Sequence, residues 1–295
     1  EPTPFLEGGT LFSPPAELRS QQQRLQVPLT KSKMLKIAHS SGSGFFSCCS
    51  IRLHDIVNFI NSNKNLPDCV DSSQQFGLYK NDKNKDITFD YFENYNNVTD
   101  VNIIHPINYE HGHQYKNYSD LDYKCITPLV KKYFSPSVEV NEIVNNIENK
   151  YNIVHDNTLA VYYRGTDKVI ETTLSPFDEF YEQIIEIVNK NKNIKILLQS
   201  DCAKFIDYIN DKNLKNAVII GENKTSYTDK GIHNEQSGNT NYYDMLNFLS
   251  TILIISKCKY IICSSGNCSI WAMLYRGNAK NVIQNLNGTW HNSVV

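Results

Sequence analysis

A short polar stretch in the middle of the chain carries the residues best suited to chemistry. Arg164, Asp167 and Lys168 directly follow the apolar run 160–163, so a cation, a carboxylate and an ammonium stand close together. Arginine is always charged and offers paired planar donors, which suits a phosphate. The alternative is a surface turn with an internal ion pair between Arg164 and Asp167. The stretch taken alone leaves both interpretations open.

A second stretch with the character of an anion site lies near the C-terminus. Ser264, Ser265, Gly266 and Asn267 stand between the apolar run 260–263 and a segment with helical spacing. Small residues there let backbone N–H groups approach an anion, and a helix N-terminus favours negative charge. The alternative is an ordinary glycine-containing turn with a serine cap. The presence of two such stretches favours a phosphate site, because open α/β sheets bind ligands beyond the carboxyl ends of their strands.

Alternating strands and helices must position these two stretches. The helix after the first stretch is predicted to begin at a Ser175 cap with Pro176 in its first turn. Strands that are separated by helices predict a parallel, doubly wound sheet. We expect strands at 159–163, 194–198, 217–220 and 260–263, and further helices at 203–209, 242–256 and 269–275.

The N-terminal half predicts a second, smaller α/β lobe. Residues 34–39 are typical of a strand, 40–44 of a glycine turn and 50–61 of a helix, which is how Rossmann-like domains begin. Another amphipathic helix is expected at 140–151. The Ser-Pro-Ser sequence at 135–137 marks the boundary, so the predicted lobes are 34–135 and 136–295. Residues 1–33 contain no Asn and are interpreted as a linker-like leader, native or added for expression.

Composition excludes several functional classes. A net charge of −2, with 40% hydrophobic and 20% charged residues, describes a globular protein without a nucleic-acid partner. No apolar run approaches the roughly 18 residues of a membrane span. The eight cysteines fit no zinc pattern and are expected to be free thiols, which favours a cytoplasmic location. His111 and His113 lack further ligands at a suitable spacing, so no metal site is expected.

Residues 161–169 resemble the His-x-Arg-x-x-Asp signature of the α1,6-fucosyltransferases and the related nodulation and protein O-fucosyltransferases. The Thr-Asp-Lys-Val sequence of the α1,6 branch is present at 166–169. The Ser264-Ser265 pair is similar to a second family feature, and the resemblance covers roughly 127–285. It implies an inverting glycosyltransferase with two Rossmann-like lobes, related to the GT-B type. The C-terminal lobe would bind a nucleotide sugar, usually GDP-fucose, without a metal.

The resemblance also implies roles for individual residues. Arg164 would stabilise the charge that develops on the departing β-phosphate. Glu171, displaced by one position from the family's glutamate, would take the proton of the acceptor hydroxyl, with Asp167 as the alternative. The residues expected to hold the donor are Tyr162, Arg164, Lys168, His233, Asp244, Ser264, Ser265, Gly266 and Asn267.

Two departures from the family pattern leave the donor open. The family's histidine falls on Tyr162. The aspartate that reads guanine falls on Thr251, while Asp244 lies about two helical turns earlier. A UDP-sugar or another GDP-sugar is therefore an alternative donor, and a non-catalytic relative that binds a nucleotide or sugar is an alternative function. The acceptor is expected to be a glycan or protein hydroxyl.

Overall fold

The computed structural model describes residues 33–37, 42–98, 101–170, 172–232 and 239–295. All of the predicted leader except Lys33 lies outside these ranges, and so do Glu171 and His233. Met34–Val295 form one compact unit. The division into lobes at residue 135 stays a prediction.

The unit contains two β-sheets and eight α-helices in its described part. The strands are β1 (Met34–Lys36), β2 (Cys69–Asp71), β3 (Thr158–Tyr163), β4 (Lys195–Ser200), β5 (Ala217–Ile219), β6 (Tyr260–Ser264), β7 (Val282–Leu286) and β8 (Thr289–Asn292). The helices are α1 (Phe45–Asn63), α2 (Thr88–Tyr91), α3 (Tyr123–Tyr133), α4 (Val138–Lys150), α5 (Phe177–Lys190), α6 (Ala203–Asp211), α7 (Asn239–Lys257) and α8 (Asn267–Arg276).

The large sheet has the predicted doubly wound topology. Its six strands follow the order β5-β4-β3-β6-β7-β8, and every neighbouring pair is parallel except β7 and β8. Side chains of β3 alternate between two cores. Leu159 and Val161 pack with α5 and α6, whereas Ala160 and Tyr162 pack on the opposite face with α7 and α8. Because both faces are covered, the strand is fully buried, as is typical of parallel sheets.

The N-terminal part is organised around a single βαβ unit. Strands β1 and β2 pair in parallel, and α1 lies between them in the chain. The helix begins at Phe45, earlier than predicted, and ten of its side chains are buried. The described residues of 72–98 and 101–122 contain α2 and short 3₁₀ turns but no further helix or strand, so aromatic packing replaces regular structure there. The ring of Phe45 contacts those of Phe76 and Tyr91, with centroids 5.0 and 4.7 Å apart.

The start of α5 differs from the prediction. The N-cap is Pro176, and Ser175 does not cap the helix. The Ser175 hydroxyl instead donates to Glu179 Oε2 at 2.6 Å, and the same oxygen accepts a hydrogen bond from Trp290 Nε1 at 2.9 Å. Ser175 therefore helps to fix α5 against β8, a strand that the sequence analysis did not predict.

The cysteines and the helices bear on two further expectations. All eight cysteines are free, as predicted. Within the described ranges, no helix combines the length and hydrophobicity that a membrane span requires. In the same ranges, no group of three or more His, Cys, Asp or Glu side chains is placed to hold a metal. The cytoplasmic location and the absence of a metal requirement stay predictions.

We expect Gly165→Ala to destabilise the fold. A Cβ atom at Gly165 would lie 2.7 Å from Tyr163 Cε1 and 2.8 Å from Cys202 Cβ. The Tyr163 ring cannot easily move, because it stacks on Phe205 with centroids 4.4 Å apart. Overpacking of this kind costs about 1–3 kcal/mol of unfolding free energy, measurable by urea denaturation.

Gly112→Ala is the matched control, because no heavy atom lies within 4 Å of a Cβ built there. Equal stability of the two variants would contradict the close packing at the end of β3.

Candidate functional site

A cavity of about 480 Å³ opens beyond the carboxyl ends of β3 and β4. Its volume lies in the range of small-molecule sites in proteins. The charged side chains that line it come from residues 164–244 and are Arg164, Asp167, Lys168, Asp201, Lys224 and Asp244. The lining contributed by residues 43–115 is uncharged and includes Ser43, Phe46, Ser47, Tyr79, Gln114 and Tyr115.

Arg164 is the centre of the charged side. Its side chain is only 15% exposed and forms two ion pairs, through Nη1 with Asp201 and through Nη2 with Asp167 Oδ1 at 2.5 Å. Burial opposes the charge, but the two carboxylates outweigh it and raise the pKa of Arg164 above its ordinary value. The Nε atom is buried and has no hydrogen-bond partner among the described residues. The predicted internal ion pair is therefore present, and it lies in the cavity wall.

Asp201 is the fixed partner of Arg164. Its carboxylate accepts hydrogen bonds from the Gly165 amide at 2.8 Å and from the Thr166 hydroxyl at 2.6 Å. Asp201 follows a predicted strand, but the sequence analysis did not include it among the expected site residues. The feature that places Asp201 beside Arg164 is the register of β3 and β4, in which Tyr163 pairs with Ser200. The residues that follow these two strands are thereby brought side by side.

Asp167 is held less tightly. Its side chain is 21% exposed, against 8% for Asp201. Among the described residues, the one further polar contact of its Oδ1 atom is with the Thr166 hydroxyl at 3.4 Å, which is long because that hydroxyl donates to Asp201 at 2.6 Å. Asp167 therefore lines the cavity, and the ion pair with Arg164 is its one strong contact among the described residues.

The loop between β6 and α8 supplies fewer ligand-facing groups than predicted. Ser264 accepts a long hydrogen bond from the Arg164 amide, at 3.4 Å. The Ser265 hydroxyl donates to the Asn285 carbonyl at 2.9 Å and accepts from Gln284 Nε2 at 2.7 Å, so its bonds are used within the fold. Neither serine lines the cavity. Asn267 lines it instead, at the first turn of α8.

Gly266 brings Lys168 to the same helix end. The residue has φ +154°, and a Cβ atom there would approach Lys168 Cε to 3.3 Å. Its amide donates to the Tyr118 hydroxyl at 3.1 Å, so Gly266 itself does not offer that N–H group to a ligand. The first turn of an α-helix leaves backbone N–H groups without intrahelical partners. Lys168 and the start of α8 therefore give the cavity a second positive region beside Arg164.

The positions relevant to nucleotide-base recognition are only partly in the cavity. Asp244 lines it and pairs with Lys224 Nζ at 2.7 Å. Thr251 is buried, donates to the Asn247 carbonyl and accepts from Asn223 Nδ2, so it does not line the cavity. Tyr162 does not line it either, because its ring is buried near Phe248. Burial raises the pKa of Tyr162 well above its ordinary value.

Side-chain contacts join the N-terminal part to the start of α8. Ser50 of α1 donates to Asn267 Oδ1 at 2.8 Å and accepts from Trp271 Nε1 at 2.9 Å. Tyr118 donates to the Gly266 carbonyl at 3.2 Å. Helix α1 and Tyr118 are thus fixed against the start of α8.

Comparison with known proteins gives matches at the level of structure. No protein-family model and no curated protein sequence matches the chain. The fucosyltransferase NodZ from Bradyrhizobium is similar with a TM-score of 0.55 at 10% identity, over 90% of this chain and 100% of that one. A NodZ α1,6-fucosyltransferase co-crystallized with GDP is similar with a TM-score of 0.53 at 10% identity, over 89% and 98%. The fucosyltransferase-like fold that the sequence resemblance implies is confirmed.

Proposed function

We propose that the protein is an inverting glycosyltransferase that transfers fucose from GDP-fucose to a hydroxyl acceptor. The observation that carries this proposal is that Arg164 and Lys168 line the same cavity, beyond the carboxyl ends of the strands. Two cations beside a helix N-terminus suit a diphosphate. The fold supports the same reading, since one similar NodZ structure was co-crystallized with GDP.

The proposed reaction needs stabilisation of the leaving group. As the bond between the sugar and the β-phosphate breaks, negative charge develops on the phosphate oxygen. Arg164 and Lys168 would stabilise that charge from fixed positions in a largely buried site, which is often the largest contribution to catalysis. No metal is included in the proposal, because the two side chains supply the positive charge.

Asp244 supports a guanine base in the donor. A carboxylate accepts hydrogen bonds only, and guanine presents adjacent N–H donors on its Watson–Crick edge. Asp244 faces the cavity although Thr251 occupies the position that the family pattern gives to aspartate. A UDP-sugar remains the alternative donor, because the pairing of Asp244 with Lys224 leaves the carboxylate partly engaged.

The uncharged wall is the proposed acceptor side. Gln114 is buried, and its Oε1 atom has no hydrogen-bond partner within the described ranges. Tyr115 beside it is 46% exposed and lines the cavity. An exposed aromatic ring and an amide suit a neutral, hydroxyl-bearing acceptor, such as a glycan or a protein side chain. We propose from the similarity of fold that the protein is of the GT-B type and acts in glycan biosynthesis.

Two carboxylates are candidates for the proton acceptor. Glu171 is implied by the family resemblance, and Asp167 lines the cavity.

A non-catalytic relative that binds a nucleotide sugar is the remaining alternative. Transfer of radiolabelled fucose from GDP-fucose to a panel of oligosaccharides and peptides distinguishes it from an enzyme. No transfer to any acceptor, combined with tight GDP binding, would favour the non-catalytic function.

We expect Arg164→Lys to weaken GDP binding about tenfold and to slow fucose transfer about 100-fold or more. Lysine retains the charge but loses the planar fork of donors, and loss of one such donor typically costs 10²–10³ in rate. Calorimetry measures the affinity, and a transfer assay measures kcat. Lys190→Ala is the control, because Lys190 lies on the exposed face of α5 and pairs with Glu186. Unchanged GDP affinity in Arg164→Lys would contradict the assignment of the phosphate site.

We expect Tyr115→Ala to raise the KM for the acceptor about fivefold and to leave GDP affinity unchanged. The exposed ring lies on the uncharged wall, and stacking or packing of this kind contributes about 1 kcal/mol. Tyr227→Ala is a matched control, since Tyr227 is 63% exposed and does not line the cavity. A loss of GDP affinity with an unchanged acceptor KM would show that this wall belongs to the donor.

A further inference from the structure

The two carboxylates that share Arg164 are held with different strength. Asp201 is bound by Arg164, by the Gly165 amide and by the Thr166 hydroxyl, and it is nearly buried. Within the described part of the chain, Asp167 has one strong contact, the ion pair with Arg164 Nη2 at 2.5 Å, and it is more exposed. Removal of Asp201 would break several bonds, whereas movement of Asp167 breaks the single ion pair. Asp167 is therefore the exchangeable partner.

A diphosphate that approaches the terminal nitrogens of Arg164 meets two carboxylates that already contact them. Nη1 donates to Asp201 and Nη2 donates to Asp167, and the buried Nε has no partner among the described residues. An approaching phosphate also repels both carboxylates, because like charges at short distance oppose each other. Repulsion by a bound phosphate thus favours the departure of one carboxylate, and Asp167 is the one held by fewer contacts.

We propose that the donor diphosphate displaces Asp167 from Arg164 and that the released Asp167 then accepts the proton of the acceptor hydroxyl. This inference rests on the proposed function and deepens it. Asp167 would be a catalytic residue whose competence depends on donor binding. The Arg164–Asp201 pair would stay intact and would hold the guanidinium in place throughout.

The proposed transfer step balances as follows. The acceptor oxygen forms a bond to the anomeric carbon of the sugar while the bond between that carbon and the β-phosphate oxygen breaks. The electron pair of the broken bond stays on the β-phosphate, where Arg164 and Lys168 stabilise the charge. The proton of the acceptor hydroxyl passes to the Asp167 carboxylate. The products are the glycosylated acceptor, the nucleoside diphosphate and protonated Asp167.

The exchange gives the site an order of events. Before the donor binds, Asp167 Oδ1 is hydrogen-bonded to Arg164 Nη2 at 2.5 Å and is directed at the guanidinium, away from an acceptor hydroxyl. After the donor binds, the arginine stabilises phosphate and the carboxylate becomes available. The same event therefore prepares the leaving group and the base.

Asp167→Asn and Asp201→Asn form a matched pair for the test, because each removes one negative charge beside Arg164. We expect Asp167→Asn to bind GDP about fivefold more tightly, since a competing ion pair of modest strength is removed. We expect Asp201→Asn to bind GDP more weakly, because Arg164 loses its fixed partner. Calorimetric titration without added metal measures both, and Asp211→Asn on the surface of α6 controls for net charge.

Transfer rates at saturating donor and acceptor complete the test. We expect kcat of Asp167→Asn to fall about 100-fold or more, the usual contribution of a general base, and to fall further than kcat of Glu171→Gln. Tighter GDP binding together with slower transfer is the signature of the exchange. A merely structural role for Asp167 would weaken GDP binding and lower the melting temperature.

Three results would overturn the inference. The first is GDP binding by Asp167→Asn that is equal to or weaker than that of the wild type. The second is near-normal transfer by Asp167→Asn with a large loss in Glu171→Gln, which would make Glu171 the base. The third is a wild-type protein that binds no nucleoside diphosphate, which rejects the proposed function itself. Asp167→Ser provides the same readout if Asp167→Asn does not fold.

Discussion

The structure of the site depends on the burial of one guanidinium. A buried cation is costly unless it is paired and hydrogen-bonded, and Arg164 meets this requirement with Asp201 from the end of β4 and Asp167 from its own turn. The Gly165 amide and the Thr166 hydroxyl hold Asp201 in turn. The contacts of the turn after β3 therefore serve to pair the buried charge of Arg164. Its close packing around Gly165 follows from the same constraint.

The sheet brings the remaining groups to this charge. Strand β3 lies between β4 and β6, so the chain segments after all three strands meet at one edge. The segment after β6 starts α8, whose N-terminus lies beside Lys168. Helix α1 and Tyr118 from the N-terminal part are hydrogen-bonded to this segment, which places an uncharged wall opposite the cations. A charged side and a neutral side in one cavity match a reaction between a nucleotide sugar and a hydroxyl.

Much of the sheet was predictable from sequence, but several contacts of the site were not. Strands with continuous apolar runs and the Arg164 turn carry local signals. Asp201 could be assigned only from the register of β3 and β4, which is a long-range property. The partners of Ser265 come from β7, which was not predicted, so nothing in the sequence analysis indicated that its hydroxyl is hydrogen-bonded within the fold. The sequence did contain a signal for β7 and β8, because Asn-Gly, present at Asn287 and Gly288, is a typical hairpin turn. In the structure both residues have the positive φ that such a turn requires.

The central claim is that the cavity around Arg164 holds a nucleoside diphosphate. The most direct measurement is calorimetric titration of the wild-type protein with GDP and, separately, with UDP, both without added metal. The account predicts saturable binding of GDP with one site per chain and weaker binding of UDP. Tighter binding of UDP would contradict the guanine assignment to Asp244 and retain the phosphate site. Binding of neither nucleotide would contradict the central claim.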